Sequence, residues 1–368
     1  KGGGGPVRVL ADGDDLVDIN ATKSQAIPMV SSPSSGSSTH NKVITIGTTA
    51  VMMGSMNFTA GGYSQQPNNM VIVKVPSVCK AYITEFDDQF LNNNFIENTP
   101  SPQNLFAAPN GDRIELFFAP DDNGNISLSP YSGGSDIKDV LKYHINSANE
   151  SVFYMINRLG MGSDLTTALT SASTPSKLVE GWFDIDIFGN KSSLQGDHTA
   201  RDWNDFNPST EGHHKVMIFD MDIVATGSAN HTYGSMRDSG GSANVENEIL
   251  FYDFRMARKF MQEYRKSMAR VPAESVGGAD SFEQVPPGGV TNLSASDVPG
   301  VGGQIQVSWT GPSSSDLSRY YVFISTGGFS SVDIGDGIDN DGDGYFDEDP
   351  SGNVDGFNGN DDDGDGAS

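Results

Sequence analysis

Two histidine–lysine pairs carry the chemistry-bearing side chains of this sequence. His40-Asn41-Lys42 runs into Val43-Ile44-Thr45-Ile46 and then Gly54-Ser55-Met56-Asn57, while His213-His214-Lys215 runs into Val216-Met217-Ile218-Phe219-Asp220 and then Gly227-Ser228-Ala229-Asn230. The histidine, lysine, glycine, serine and asparagine recur at one constant offset of 173 positions, which marks an internal repeat. Strand side chains alternate with period two, so histidine and lysine at i and i+2 share a face. A turn then returns a hydroxyl (Ser55, Ser228) and an amide (Asn57, Asn230) beside that face. Two such sets brought together supply two imidazoles, two ammonium groups and hydrogen-bond donors, which suits a tetrahedral, singly anionic phosphodiester.

The chemistry follows from those groups. One imidazole attacks phosphorus and forms a phosphohistidine; the other protonates the leaving alkoxide and then activates water. Histidine, with an ordinary pKa near 6.5, does both jobs close to neutrality. The ammonium groups of Lys42 and Lys215 offset the charge that builds on the phosphoryl oxygens. The scheme calls on no metal or other cofactor.

The elements that must hold these groups also repeat. Each motif is followed by a short apolar strand, Met70–Val75 or Ile249–Tyr252, and then by an amphipathic helix: Tyr82, Ile83, Phe86 and Phe90 in one copy, Phe260, Met261, Tyr264 and Met268 in the other. Before the second motif, Ile114–Phe118 reads as a strand, Ile137, Val140, Leu141 and Ile145 as a helix face, and Val152–Ile156 as a strand. The pattern predicts two α/β half-domains packed face to face. The first copy has only Val7–Leu10 as an opening strand, so its amino-terminal strand and helix are expected to be missing.

These segments resemble the two HxK(x)4D and GSxN motifs of the phospholipase D superfamily over about residues 6–270. The second copy matches throughout: His213, Lys215, Asp220, Gly227, Ser228 and Asn230, with Glu246 ahead of its strand. The resemblance implies a phosphodiesterase with a phosphohistidine intermediate. It makes Glu246 the acidic partner that fixes the tautomer of the motif histidine, with Asp220 as structural support. The first copy departs from the pattern, with Gly47 in place of the motif aspartate and Asn68 at the position of the acidic partner. His40 is therefore expected to lack a carboxylate, and His213 becomes a rival for the nucleophile that the family usually takes from its first copy. The roles of the two imidazoles stay open at this point. A catalytically degenerate diester-binding or adhesion protein is the alternative. Of the other histidines, His214 falls on the opposite strand face, and His144, His198 and His231 read as structural or exposed. Trp182, Trp203 and Phe206 line either a substrate groove or the core.

Half of the net charge of −26 lies from Asp333 to the end, where thirteen acidic residues and no lysine or arginine occur. The remainder is still acidic, which argues against a broad nucleic-acid surface. Asp339, Asp341, Asp343 and Asp347 form an alternating carboxylate run with Gly344, suited to calcium. That run resembles a thrombospondin type 3 repeat, restarting at Asp361. Alternating apolar positions Val290, Leu293, Ile305, Val307, Trp309, Tyr321 and Phe323 resemble the first part of a fibronectin type III domain. The expected organisation is a first half (1–105), a second half (106–275), a linker (276–289), a partial sandwich (290–332) and Asp-rich repeats (333–368). One cysteine, Cys79, excludes an intramolecular disulfide and any cysteine-based zinc site. The chain reads as cut at both ends. Calcium repeats point by association to secretion or cell-surface display, with a phospholipid or nucleic-acid diester as substrate, peripheral membrane contact, and a site completed within one monomer.

Overall fold

Strand-length apolar runs form the strands they predict, and the turns between them are set by single residues. The computed structural model describes residues 7–13, 27–32, 38–95, 105–120, 137–160, 164–174, 177–186, 199–203, 210–232, 234–236, 244–270, 291–297 and 305–311. The chain divides into two units, Lys1–Ala279 and Asp280–Ser368.

In the first unit, the first repeat comprises β1 (Val9–Ala11), β2 (Met29–Ser31), β3 (Val43–Ile46), β4 (Ala50–Gly54), the short α1 (Ala60–Ser64), β5 (Met70–Val73) and α2 (Pro76–Asn92). β5 ends two residues before the expected Val75, because Val75 is the N-cap of α2 and Pro76 opens the helix. Then follow β6 (Leu105–Ala107), β7 (Arg113–Ala119), α3 (Ile137–Ser147), β8 (Ser151–Gly160), α4 (Asp164–Ala172), β9 (Leu178–Asp186) and β10 (Thr199–Asp202). β11 (Lys215–Phe219), β12 (Ile223–Gly227), β13 (His231–Thr232), β14 (Glu246–Tyr252) and α5 (Phe254–Arg270) complete the second repeat. No helix among the described residues is long and apolar enough to cross a membrane.

β3, β4 and β5 make a three-stranded antiparallel sheet. The second repeat builds a nine-stranded sheet in the order β10-β9-β8-β11-β12-β14-β7-β6, with β13 beside β8. Its central strands are apolar on both faces because both are covered. On one face Val152, Tyr154, Met217, Phe219 and Leu250 meet α3 and α4. On the other, Phe153, Val216, Ile218 and Val224 meet α5, and Val71 of β5 packs against the same cluster. α2 joins the two sheets: its Val78, Cys79, Ala81 and Tyr82 pack with Val51, Met53 and Val73 on one side and Leu116, Phe118, Ile249 and Phe251 on the other. The halves thus meet through α2 and through direct contact of β4 and β5 with the β11–β12 hairpin.

The repeats differ in their outer layer. Ile44, Met52 and Ile72 stand in register across β3, β4 and β5, as Met217, Ala225 and Leu250 do across β11, β12 and β14. The second row lies in the core beside α3 and α4, whereas Ile44, Ile46 and Ile72 are exposed by 45%, 64% and 60%.

Each motif hairpin turns on a residue with positive φ: Gly47 at 50° and Asp220 at 51°. Glycine and aspartate are among the residues that tolerate this region, so Gly47 preserves the turn that Asp220 makes. Asp220 adds a second task. Its carboxylate accepts from the backbone N–H groups of Asn149, Glu150 and Ser151 at 2.8–2.9 Å and ties the α3–β8 connection to the hairpin. It is an acceptor for main-chain donors and not the ion-pair partner that charge alone suggests. Replacing Asp220 by Ala removes the acceptor of three main-chain donors and leaves the positive φ to a residue that tolerates it less well than aspartate. An unfolding titration is expected to read a loss of about 2–4 kcal/mol; a loss below about 1 kcal/mol contradicts this role.

The described part of the second unit is an antiparallel hairpin of β15 (Thr291–Asp297) and β16 (Ile305–Thr310), with a register shift between Thr291 and Ser294. Tyr321, Phe323 and the aspartates at 339, 341, 343 and 347 lie outside the described residues, as do Phe206 and His198.

Candidate active site

The two motifs meet crosswise. β3 begins at Val43 and β11 at Lys215, so His40, Lys42 and His213 occupy the approaches to the strands and not the expected strand interior. Each approach is held by the other repeat: His40 N donates to Val245 O at 3.0 Å, and His213 N donates to Pro67 O at 2.7 Å. Each lysine curls back on its own histidine, Lys42 Nζ to His40 O at 2.6 Å and Lys215 Nζ to His213 O at 3.2 Å.

The glycines of the motifs permit this approach. A Cβ on Gly54 would stand 2.2 Å from Asn69 O, and one on Gly227 would stand 2.0 Å from Asn247 O. At both places the following serine N–H donates to that same carbonyl at 2.9 Å.

Glu246 supports the other repeat's histidine. His40 Nδ1 donates to Glu246 Oε2 at 2.8 Å, and Ser228 Oγ donates to the same oxygen at 2.6 Å. Asn244 Nδ2 donates to Oε1 at 3.2 Å. Two expectations are corrected here: Glu246 is not the partner of His213, and His40 does not lack a carboxylate. Pairing across the two repeats puts the acid on β14 beside the approach to β3, which adjacency in sequence conceals. His213 Nδ1 instead meets the main-chain carbonyl of Ser55 at 2.8 Å. Asn68, at the position matching Glu246, donates its amide to Gly62 O at 2.7 Å and does not serve His213.

The serine hydroxyls are also reassigned. Ser55 Oγ donates to Asn69 Oδ1 and accepts from Asn69 N, both at 3.0 Å. Ser228 Oγ donates to Glu246 and accepts from Asn247 N at 3.0 Å. Both are fully buried and brace neighbouring strands, so their protons are committed before any phosphate arrives. Asn57 is half-buried. Asn230 is buried, and its side-chain oxygen has no hydrogen-bond partner. Such a group is costly unless a ligand or water meets it, and rotation of the amide presents donors at the same place.

Electrostatics separate the site from an ordinary protein interior. Lys215 is wholly buried and Lys42 nearly so. Burial, then the charge of Lys42, hold the Lys215 ammonium well below its usual range, against the pull of Glu246 and Glu211. Burial and the charges of Lys215 and Lys42 push His213 down to about 2. Burial would raise Glu246, but the charge and hydrogen bond of His40, with Lys42 and Ser228, bring it below its ordinary value. Burial, then the nearby charge of Glu246, hold Glu248 well above the carboxylate range, which keeps it protonated. Lys42 and Lys215 thus lie close enough to disfavour each other's charge, and an entering anion favours the charged form of both.

Several supporting residues escaped sequence reasoning. Thr210–His213 is fastened by Trp203 Nε1 to Thr210 O, Asp184 Oδ2 to Gly212 N, and Asn157 Nδ2 to Gly212 O. Trp182 and Trp203 lie against Gly212 and belong to the core, not to a groove. Asn69 and Asn247 follow Asn68 and Glu246 in matching places, a signal available in the repeat itself. His214 packs against Trp182 and meets Asn69 and Glu263 at 3.3 Å. His144 is buried among Phe219 and Tyr252, far from the motifs at the other end of β11, beside a depression of about 280 Å³. His231 is buried with neither ring nitrogen hydrogen-bonded, and burial and the charge of Lys215 push it to about 3. Among the described residues, no group of three or more histidine, cysteine or acidic side chains gathers to hold a metal.

Residues 4–90 and 185–271 match the family model described as cardiolipin synthase, PLD-like domain. The match falls once on each repeat, so each is similar to a phospholipase D-like domain. Phosphatidylserine synthase of Haemophilus influenzae Rd KW20 is 12% identical over 75% of this chain and 77% of its own, with a TM-score of 0.53, and shares the fold. The phospholipase D family member NUC from Salmonella typhimurium is 18% identical over 43% of this chain and 95% of its own, with a TM-score of 0.32. NucT from Helicobacter pylori is 20% identical over 44% and 98%, with a TM-score of 0.33. No curated protein matches the chain.

Proposed function

We propose that the chain is a phosphodiesterase in which His40 is the nucleophile and His213 the general acid and base. The observation that carries the reading is the crosswise bond of His40 Nδ1 to the buried Glu246 carboxylate at 2.8 Å. That bond keeps the proton on Nδ1 and leaves Nε2 with its lone pair. Attack by Nε2 forms the P–N bond as the P–O bond to the leaving alcohol breaks, and the phosphohistidine ring carries positive charge that Glu246 stabilises. The leaving alkoxide takes a proton from His213. Bringing in a negatively charged diester offsets Lys42 and Lys215, the charges that depress His213 in the free site, so the substrate itself promotes protonation of its acid. His213, now neutral, removes a proton from water as that oxygen attacks phosphorus; the P–N bond breaks and returns its electron pair to His40. Lys42, Lys215 and the amides of Asn57 and Asn230 hold the phosphoryl oxygens.

The degenerate-site reading rests on Gly47 and Asn68. Gly47 loses its weight because it reproduces the backbone angle of Asp220; Asn68 keeps its weight. Calcium in the Asp-rich repeats, a fibronectin-like module and display outside the cell belong to the same proposal, on composition and spacing alone.

The full chain should hydrolyse bis(p-nitrophenyl) phosphate in EDTA, and a rapid quench should trap a p-nitrophenyl phosphoryl group on residue 40. His40→Ala should abolish both. Label on residue 213 reverses the roles, and absence of both turnover and label leaves a binding protein. Parallel assays on phosphatidylcholine vesicles and single-stranded DNA separate lipid from nucleic-acid diesters.

A further inference from the structure

The two imidazoles are supported unequally, and the difference can be traced atom by atom. His40 has a carboxylate. The residue in the corresponding place for His213 is Asn68, whose amide is occupied by Gly62 O at 2.7 Å. What meets His213 Nδ1 is Ser55 O at 2.8 Å, a distance at which a carbonyl oxygen and a bare ring nitrogen would repel, so the nitrogen carries the proton. Lys215 Nζ lies 3.4 Å from the same nitrogen, the longer and weaker contact.

The Ser55 peptide is not free to drift. Asn69 grips it three times: its main-chain carbonyl takes Ser55 N–H at 2.9 Å, its side-chain oxygen takes Ser55 Oγ–H at 3.0 Å, and its own N–H donates to Ser55 Oγ at 3.0 Å. Asn69 is anchored in turn to the other repeat through Nδ2 to Thr226 Oγ1 at 2.9 Å. The second repeat is wired differently, since Ser228 Oγ donates to Glu246 and not to Asn247. Where the acid is missing, the serine turns to asparagine.

We infer that Asn69 is a positioning residue for His213, holding the Ser55 carbonyl in the role that Glu246 plays for His40. This rests on the two-imidazole reading above and deepens it. A carbonyl fixes the ring and its tautomer but brings no negative charge, so it stabilises the imidazolium less than a carboxylate does. Burial beside two lysines acts in the same direction on His213. The arrangement yields an acid that is unprotonated in the free site and gains its proton only with an anion in place.

The test is ring-nitrogen NMR of the full chain labelled with 15N-histidine, with His213→Gln used only to assign the signal. In the unmodified chain, His213 should show Nδ1–H and a bare Nε2 from about pH 5 to 8. Asn69→Ala keeps the two main-chain bonds to Ser55 and removes the side-chain bonds to Ser55 Oγ and Thr226 Oγ1; it should mix the two tautomers of His213, leave the His40 signal in place, and lower kcat on bis(p-nitrophenyl) phosphate roughly 10–100-fold with little change in KM. Adding Asn68→Glu, which supplies the missing carboxylate, should recover most of that loss and raise the pH at which His213 titrates. A bare Nδ1 in the unmodified chain overturns the inference, and so does an Asn69→Ala chain with unchanged tautomer and kcat. Should Asn69→Ala fail to fold, the spectrum of the unmodified chain still decides. That spectrum needs no turnover, so a chain that cleaves no diester yet shows Nδ1–H at His213 refutes the phosphodiesterase reading alone.

Discussion

Glu246→Gln should lower turnover by about 10³- to 10⁴-fold, the scale of the same carboxylate-to-amide change in a Ser-His-Asp site. The glutamate is fully buried and its Oε2 accepts from both His40 Nδ1 and Ser228 Oγ. Glutamine has one oxygen and one donor group at these places. If the donor faces His40, the ring must present a lone pair at Nδ1 and carry its proton on Nε2, the atom that has to attack. If the oxygen faces His40, the amide donors meet Asn244 Nδ2, itself a donor. Loss of the Glu246 charge also removes a favourable interaction from both Lys42 and Lys215, so a lower melting temperature should accompany the lost rate. Single-turnover measurement with circular dichroism on the same sample separates the two effects. A folded Glu246→Gln chain within tenfold of the original rate contradicts the role.

The largest expected effect on stability belongs to Gly227→Ala. The added methyl would sit 2.0 Å from Asn247 O and 2.6 Å from Glu248 Oε2. The first of these is backbone of the adjoining strand, which cannot swing aside as a side-chain tip can. β12 and β14 must separate, and their separation pulls on the Ser228 and Asn247 bonds that hold Glu246. A loss of at least about 3 kcal/mol is expected, or roughly 6–12 °C in melting temperature for a unit of this size. Gly47→Asn is the control. Its added Cβ meets nothing within 4 Å and asparagine accepts the 50° φ, so its melting temperature should stay close to the original. Equal losses in the two variants would show that the close approach of β14 is not what the glycine serves.

Most of the frame could be read from the letters because it rests on local periodicity. The alternation in Val43–Ile46, the helical stripe through Tyr82 and Phe86, and the offset that pairs His40 with His213 each survive without tertiary information. What could not be read depends on which chain segment lies alongside which. Nothing in the spacing of Glu246 says that it serves a histidine 206 positions away. Nor does Ser55 announce that its carbonyl, and not its hydroxyl, is the working atom. Gly47 looked like decay because its missing side chain was visible and its shared backbone angle with Asp220 was not. His231 was set aside as structural or exposed; its buried, unbonded ring follows from β13 docking on β8, a contact of only two residues. Ile44, Ile46 and Ile72 are exposed, since no helix among the described residues of the first repeat covers them, and nothing in their own alternation says so.

The bonds from His40 N to Val245 O and from His213 N to Pro67 O carry a last consequence. Each imidazole is mounted on a bracket that belongs to the opposite repeat. Neither repeat holds its own ring in place alone, because parting them removes both brackets in one stroke. Selection acting on one copy is therefore chained to the other, and the pair can drift apart in sequence only along paths that keep the mutual mounting intact.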